Sequence, residues 1–422
     1  MSTAQASFYD AMETRPPAQR EEALMAALPG VVAHARANGP AYAGILGDTP
    51  PASIDSRAAL AKLPVTRKSE LIERQKSSRN DGDPFGGFAT IGWRPRKGAV
   101  RVFASPGPIY EPEGEGPDYW RGARALYAAG FRCGDLVHNS FSYHLTPAGS
   151  MMETAAHALG CTVFPGGVGN TELQLQAVRE LQPHGYVGTP SFLKIMLDKA
   201  AEHGVDLASL RRALVSGEAF PPSLRDWLAA RGITGYQCYA TADLGLIAYE
   251  TEAREGLVLD EHVIVEIVRP GTSDPVPDGE VGEVVVTTLN RDYPLIRFGT
   301  GDLSAVMPGH CPTGRTNTRI RGWMGRADQT AKVRGMFVHP SQVAAITRRH
   351  PEVQRARLVV SGEMANDSMT LKVEVSGRPE GLDERIAESV RDVTKLRADV
   401  VFSDPGSLPN DGRVIEDARS YE

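Results

Sequence analysis

The feature that most constrains the fold is a regular alternation of short apolar runs and helical stretches, from about residue 117 to residue 240. Strands are predicted at 135–139, 162–164, 186–187, 213–215 and 233–239, with helical segments between them. Such alternation predicts a parallel sheet covered by helices on both faces. In one of these helical segments, Thr171 and Gln174 have the spacing of a capping box, which predicts a helix start there.

Two further patterns follow the alternating part. From residue 257, three strand-like runs divided by Pro and Gly turns, HVIVEIV (262–268), GEVVVTTL (282–289) and PLIRFGTGDLSAV (294–306), predict an antiparallel β-subdomain. After a break at 322–328, strand-like runs and a helical stretch at 382–395 predict a separate α+β module. We therefore expect a large N-terminal domain, residues 1–324, and a small C-terminal domain, residues 325–422.

The N-terminal 75 residues predict helices and loops. An amphipathic stretch at 21–28 is followed by Pro29 and Gly30, which are expected to end its helix.

Charge and cysteine content exclude several classes of protein. The chain has 46 Lys+Arg and 52 Asp+Glu, and the resulting net charge of −6 argues against a nucleic-acid or polybasic membrane partner. No run of 18 apolar residues and no signal peptide is visible, so no membrane segment is predicted. The four cysteines form no CxxC pair, which favours a reduced, cytoplasmic protein.

Two loops with ligand-binding character follow consecutive predicted strands. They read SGEAF (216–220) and YATADLG (239–245). In open α/β sheets, ligands bind beyond the carboxyl ends of the strands, so both loops are candidates. Tyr239 offers a stacking face and Asp243 a magnesium ligand. For either loop alone, a core tyrosine and a turn-capping aspartate are the commoner alternative.

Two later segments also have the composition of a ligand site. In YPLIRFGTGD (293–302), a strand runs into a glycine-bracketed threonine and ends at Asp302, which could accept hydrogen bonds from ribose hydroxyls. The alternative is a β-turn with a solvated aspartate. In GRADQTAKVRG (325–335), Arg326 could bind ribose or phosphate oxygens, and Asp328 lies at the domain boundary, where a hinge would lie. A charged linker is the alternative there.

Taken together and in this order, these segments resemble the adenylate-forming acid–CoA ligases, in particular the phenylacetate–coenzyme A ligase branch. The resemblance covers the chain from about residue 100 to its end. Its most specific part is 293–343, which contains YPLIRFGTGDLS and GRADQTAKVRGMFVHPSQV. It implies a large α/β domain with a β-subdomain and a small mobile α+β C-terminal domain. This agrees with the elements predicted above.

The resemblance also implies a reaction and the residues that carry it. A carboxylic acid attacks the α-phosphate of ATP, and coenzyme A then displaces AMP from the acyl-adenylate; magnesium assists, and a homodimer is expected. A small aromatic or branched acid is the implied substrate. The implied roles are nucleotide binding by Ser216, Gly217, Glu218, Ala219, Tyr239, Ala240, Asp302 and Arg326, magnesium binding and catalysis by Asp243, a hinge at Asp328, and an acyl pocket at Phe141, Tyr143 and His144.

The chain departs from the family pattern in its phosphate loop. The family has a Ser/Thr/Gly-rich loop with a lysine, and the matching stretch here, FASPGPIYEP (103–112), lacks the lysine. Its prolines remove amide donors, and Glu111 as a carboxylate would repel a triphosphate. The hydroxyl residue before the magnesium-binding acid is replaced by Ala242.

Two more departures lie elsewhere. Arg413 stands where the family has a catalytic lysine, so the charge is kept but not the compact ammonium. Several members bind a structural zinc, but here only Cys311 is left of the ligands, which predicts no zinc. These losses leave a second hypothesis open: a degenerate or half-reaction paralogue that binds AMP, acyl-adenylate or coenzyme A without ATP-driven activation.

Overall fold

The computed structural model of the protein describes residues 8–93, 98–327, 329–363, 366–375, 377–409 and 413–419. The chain divides into two compact units, of which the first comprises Met1–Gly217 and Leu228–Met324 and the second Glu218–Trp227 and Gly325–Glu422.

The helices of the described residues are mostly short and lie between strands. They are α1 (Pro17–Asn38), α2 (Pro40–Leu46), α3 (Arg57–Leu60), α4 (Lys68–Ser78), α5 (Ala123–Ala128), α6 (Ala148–Ala158), α7 (Thr171–Leu181), α8 (Pro190–Glu202), α9 (Pro222–Ala229), α10 (Pro340–Arg349) and α11 (Leu382–Thr394). No helix in the described ranges combines the length and apolar character that crossing a bilayer requires.

Among the residues described, the strands form two larger sheets and a hairpin in the first unit, and a sheet and a hairpin in the second. They are β1 (Thr66–Arg67), β2 (Arg101–Ser105), β3 (Ile109–Glu113), β4 (Leu136–Asn139), β5 (Thr162–Pro165), β6 (Gly185–Gly188), β7 (Arg212–Val215), β8 (Thr234–Thr241), β9 (Gly245–Glu250), β10 (Leu257–Leu259), β11 (Val263–Val268), β12 (Gly282–Thr288), β13 (Phe298–Ser304), β14 (Val306–Met307), β15 (Arg319–Ile320), β16 (Ala331–Val333), β17 (Met336–Val338), β18 (Val353–Glu363), β19 (Asn366–Val375), β20 (Asp399–Ser403) and β21 (Ile415–Asp417).

The central sheet confirms the α/β prediction. Its strand order is β14-β15-β10-β9-β8-β7-β6-β4-β5, and the strands from β4 to β8 pair in parallel. Helices α6, α7, α8 and α9 connect these strands in turn. Because parallel strands expose their carboxyl ends at one edge, the segments that follow β4, β7 and β8 gather there.

The predicted β-subdomain is a second sheet with the order β1-β13-β12-β11. Strands β11, β12 and β13 pair antiparallel, whereas β1 from the N-terminal region adds in parallel to β13. Strand β13 begins at Phe298, later than the strand-like run that starts at Pro294. Because β1 pairs with β13 and α4 begins directly after β1, the start of α4 lies near β13.

The N-terminal helix is longer than the sequence predicts. Pro29 does not end it, and α1 continues to Asn38. Residues beyond the proline, among them Val32 and Ala35, are completely buried in the core. Their burial stabilises the continued helix against the lost hydrogen bond of the proline, so the prediction of an end at Pro29-Gly30 is wrong.

The second unit is an α+β module. Its four-stranded sheet has the order β20-β19-β18-β21, and α10 and α11 contribute apolar residues to the same core. The predicted helix at 382–395 corresponds to α11.

Candidate active site

The loop after β7 is linked to strand β8 by a side-chain hydrogen bond. Ser216 is buried, and its Oγ donates to the carbonyl oxygen of Cys238 at 2.8 Å. Gly217 has a φ of 82°, a conformation that favours glycine. Glu218 and Ala219 are half-buried and belong to the stretch that groups with the second unit. Tyr239 and Ala240 lie on β8.

Asp302, in the first unit, accepts hydrogen bonds from two other side chains. Its carboxylate accepts from the Tyr239 hydroxyl at 2.8 Å and from the Trp323 indole Nε1 at 3.1 Å. Its amide donates to the Thr300 hydroxyl at 3.1 Å, which fixes the backbone of β13 at this residue. The structure therefore brings together Tyr239 and Asp302, which are predicted from separate loops, and adds Trp323, which sequence reasoning missed.

Asp243 is a buried carboxylate in the turn between β8 and β9. Its Oδ2 lies 3.2 Å from Lys68 Nζ, while its Oδ1 has no hydrogen-bond partner among the described residues. Lys68 is the first residue of α4 and follows β1, which explains how a residue 175 positions away in sequence reaches Asp243. A cation therefore lies beside Asp243 although the phosphate loop has none. No local sequence pattern predicts this pairing.

The stretch that corresponds to the phosphate loop is a closed β-hairpin of β2 and β3. Ser105 pairs with Ile109 across the turn of residues 106–108. The Ser105 amide donates to Glu111 Oε2 at 3.3 Å, and the Ser105 hydroxyl also donates to Glu111. The side chain of Gln75 accepts from the Tyr110 amide at 2.8 Å and donates to its carbonyl at 2.9 Å, which ties β3 to α4.

Burial changes the ionisation of Glu111, whose side chain is fully enclosed. Desolvation is the main cause that raises the pKa of this carboxyl well above its usual range, and the nearby Asp243 raises it further. Lys68 and the Ser105 hydrogen bonds act in the opposite direction. The repulsion expected from a Glu111 carboxylate is therefore weakened wherever the neutral acid prevails.

The predicted acyl-pocket residues follow β4. Phe141 is buried, and the Tyr143 hydroxyl accepts from Asn139 Nδ2 at 2.8 Å. Burial is the first cause that raises the pKa of Tyr143 above its ordinary value. His144 is exposed, so its side chain is not enclosed together with Phe141.

A buried histidine was missed at the end of β4. His138 Nε2 lies 2.7 Å from Gln174 Oε1, and the ring stacks between Phe164 and Tyr186. Burial lowers the pKa of His138, which favours the neutral ring. Gln174 is engaged here and in bonds to the 167 and 169 carbonyls, so it does not form the predicted capping box; α7 has no side-chain cap.

The remaining site predictions fall in the second unit. Arg326 is half-buried, with its guanidinium carbon 6.0 Å from the centre of the Phe337 ring. Arg413 is exposed, and the amide of the following Val414 donates to Gln329 Oε1 at 2.8 Å. Asp328, the predicted hinge, lies outside the described residues.

In the region where family members bind zinc, a cysteine thiol lies beside two threonine hydroxyls. Cys311 Sγ lies 3.3 Å from the Thr251 hydroxyl and 3.1 Å from the Thr313 hydroxyl. Arg315 donates to Thr313 at 3.1 Å. Within the parts of the chain that the structure describes, no cluster of three metal-ligating side chains occurs.

The absence of zinc stays a prediction, and elemental analysis tests it. We expect well under one equivalent of zinc per chain, and no change in melting temperature after dialysis against a chelator, because one thiol cannot complete a tetrahedral site. A stoichiometric zinc content that the chelator removes together with thermal stability would contradict this prediction.

Comparison with known proteins assigns the class. Residues 133–290 match the AMP-binding enzyme family. The fold is that of a crystal structure of 2-hydroxyisobutyryl-CoA ligase in complex with 2-HIB-AMP and CoA in the thioesterification state, with a TM-score of 0.82, 25% sequence identity, and coverage of 100% of this chain and 94% of that chain.

Two relatives define the family more narrowly. The phenylacetate-coenzyme A ligase of Aromatoleum evansii is 33% identical over 342 residues, which cover 77% of this chain and 74% of the relative. That of Thermus thermophilus is 31% identical over 388 residues, covering 83% of this chain and 84% of the relative. The chain therefore belongs to the phenylacetate–coenzyme A ligase branch of the AMP-forming acid–CoA ligases, which confirms the resemblance found in the sequence.

Proposed function

We propose that the protein activates a small aromatic or branched carboxylic acid as an acyl-adenylate and transfers the acyl group to coenzyme A. The observation that carries this proposal is the Asp302 carboxylate on β13, which accepts hydrogen bonds from the Tyr239 hydroxyl and the Trp323 indole. An oriented carboxylate can accept hydrogen bonds from both hydroxyls of a ribose. The solved complex of 2-hydroxyisobutyryl-CoA ligase with an adenylate and CoA supports the same class of ligand.

The proposed chemistry has two steps. An oxygen of the acid attacks the α-phosphorus of ATP, a P–O bond forms, and pyrophosphate leaves. The thiol of coenzyme A then attacks the acyl carbon, the thiol proton is lost, and AMP leaves with the phosphate oxygen. We assign ribose binding to Asp302 and Arg326, adenine contacts to the 216–219 loop with Tyr239 and Ala240, and the hinge between the steps to Asp328.

Asp243 is suited to hold magnesium in this scheme. It is a buried carboxylate, and one of its oxygens accepts no hydrogen bond within the described ranges. Magnesium typically binds through one or two carboxylates together with substrate phosphates, where it supplies positive charge. Lys68, the present partner of Asp243, adds a second positive charge beside the same carboxylate.

A second candidate function is the thioester half-reaction alone, or binding of AMP, acyl-adenylate or coenzyme A without activation of the acid. It is favoured by the closed hairpin at the phosphate loop, in which the Ser105 donors are used by Glu111. The presence of Arg413 in place of the family's catalytic lysine also favours this second function.

The two functions differ in pyrophosphate release. With ATP, magnesium, coenzyme A and a panel of aromatic and branched acids, the ligase releases pyrophosphate and forms an acyl-CoA for at least one acid. If no acid gives release above background, while a synthetic acyl-adenylate and coenzyme A yield AMP, the half-reaction function replaces the first proposal.

The substitution Arg413→Lys tests whether Arg413 takes part in the release of pyrophosphate. A compact ammonium restores the family's point charge, and we expect the rate of pyrophosphate release to rise at least about tenfold. Arg378→Lys, an exposed arginine of the same unit, is the matched control and leaves the rate unchanged. An equal rate for Arg413→Lys and wild type would remove Arg413 from the proposed machinery.

A further inference from the structure

Glu111 already occupies the hydrogen-bond donors of the hairpin that corresponds to the phosphate loop. Both Ser105 donors, the amide and the hydroxyl, point to its carboxyl group. Two of the three turn residues, Pro106 and Pro108, have no amide hydrogen and cannot donate to a phosphate. A phosphate arriving at this hairpin therefore finds few hydrogen-bond donors, and the amide and hydroxyl of Ser105 are already engaged by Glu111.

The charges around Glu111 are also unfavourable for additional phosphates. Burial is the main cause of its raised pKa, but Asp243 also lies close enough to raise it, and Lys68 is the cation that acts in the opposite direction. The Lys68 ammonium is engaged by Asp243 at 3.2 Å. Tyr293 is a further neighbour of Asp243 and Glu111, and burial followed by these two carboxyl groups raises its pKa. Its neutral phenol adds no positive charge that could attract a phosphate.

This arrangement contrasts with the surroundings of Asp302. There the Tyr239 hydroxyl and the Trp323 indole are donors that orient an acceptor for ribose. Ribose recognition is the same for AMP, an acyl-adenylate and ATP. Only the β- and γ-phosphates need the donors and positive charge that the hairpin lacks.

We propose that Glu111 is a specificity-determining residue that makes the nucleotide site prefer adenosine monophosphates, AMP and acyl-adenylate, over ATP. The inference rests on the proposed nucleotide site at Asp302. It adds that the ligase works with a high KM for ATP, because the carboxyl group of Glu111 already engages the Ser105 donors of the hairpin.

Calorimetric titration of the whole chain with AMP, ADP and ATP in the presence of magnesium tests the proposal. We expect affinity to fall in that order, with AMP at least about tenfold tighter than ATP, because Glu111 engages the Ser105 donors and each added phosphate brings negative charge toward the Asp243 carboxylate. The ratio of Kd for ATP to Kd for AMP is the readout, since a merely structural effect shifts both constants together.

Two substitutions of Glu111 test whether its occupation of the Ser105 donors sets the preference. Glu111→Ala frees these donors, and it is expected to reduce the ratio at least about tenfold. Glu111→Gln keeps an acceptor oxygen of similar reach for the Ser105 donors, and it is expected to reduce the ratio less. Glu113→Gln is the matched control on the same strand; Glu113 is paired with Arg101 at 2.8 Å, and this variant keeps the wild-type ratio.

Four outcomes decide between these alternatives. A wild-type ratio at or below one overturns the proposal, as does an unchanged ratio in both Glu111 variants when circular dichroism shows them folded. A reduced KM for ATP with little change in kcat in Glu111→Ala supports it. If AMP does not bind the wild-type chain at all, the proposed nucleotide site itself is wrong, and this inference is lost with it.

Discussion

Replacing Asp302 with alanine is expected to weaken AMP binding at least about 100-fold. Two charge-assisted hydrogen bonds to the ribose are lost, each of about 1.5–3 kcal/mol, and about 1.4 kcal/mol corresponds to a factor of ten in affinity. The donors of Tyr239 and Trp323 that now point to the carboxylate also lose their acceptor. Equilibrium dialysis with labelled AMP measures the effect.

The control for Asp302 is a second aspartate of the β-subdomain. Asp278 is exposed in the turn between β11 and β12, and Asp278→Ala is expected to bind AMP like the wild type. Asp302→Asn, which keeps one acceptor oxygen, is expected to bind with intermediate affinity. Wild-type affinity in Asp302→Ala would show that the ribose is bound elsewhere.

Replacing Arg297 with methionine is expected to lower the free energy of unfolding by about 3–5 kcal/mol. Arg297 is fully buried, and its guanidinium donates to both carboxylate oxygens of Glu266, at 2.9 and 3.1 Å. It also donates to the backbone carbonyls of Ala61, Leu63 and Ser273. Without the arginine, a buried carboxylate loses its counter-ion and three carbonyls lose a donor. Denaturant titration followed by tryptophan fluorescence measures the change.

A double substitution tests the physical cause. Arg297→Met combined with Glu266→Met removes the unpaired charge, so part of the stability returns, about 1–2 kcal/mol, while the three carbonyls stay without their donor. Arg291→Met, an exposed arginine in the preceding loop, is the control and changes stability by less than about 0.5 kcal/mol. A loss below about 1 kcal/mol in Arg297→Met would mean that the buried ion pair adds little to stability.

Much of the fold could be predicted from local patterns. Strands β11 and β12 are alternating or continuous runs of β-branched residues between turns, and their predicted bounds are close to those observed. Helix α11 lies in the helical stretch predicted at 382–395, and its buried residues Leu382, Ile386 and Val390 recur at helical spacing. In these segments the local pattern and the buried surface favour the same element, so sequence and structure agree.

The failures occur where distant contacts decide. Pro29 reads locally as a helix end, but α1 continues because residues beyond it are buried in the core. Thr171 and Gln174 read as a capping box, but Gln174 is used by the buried His138 on another element. In both places, tertiary packing outweighs the local preference of the chain.

The candidate site also contains residues that the sequence could predict and residues that it could not. Tyr239, Asp243 and Asp302 could be selected because each lies at or just beyond the end of a predicted strand, in a motif of recognisable composition. Lys68 and Trp323 could not, because their partners are 175 and 21 residues away and no local pattern links the pairs. Lys68 reaches Asp243 only through the parallel pairing of β1 with β13, a long-range contact that the sequence pattern does not contain.

A crystal structure of the wild-type chain with AMP would show whether Asp302 binds the nucleotide. We expect an adenosine whose ribose hydroxyls lie within hydrogen-bond distance of the Asp302 carboxylate, with the base near Tyr239 and the phosphate on the side of Asp243 and Lys68. Bound AMP with its ribose away from Asp302, or no bound nucleotide in crystals grown at saturating AMP, would contradict it.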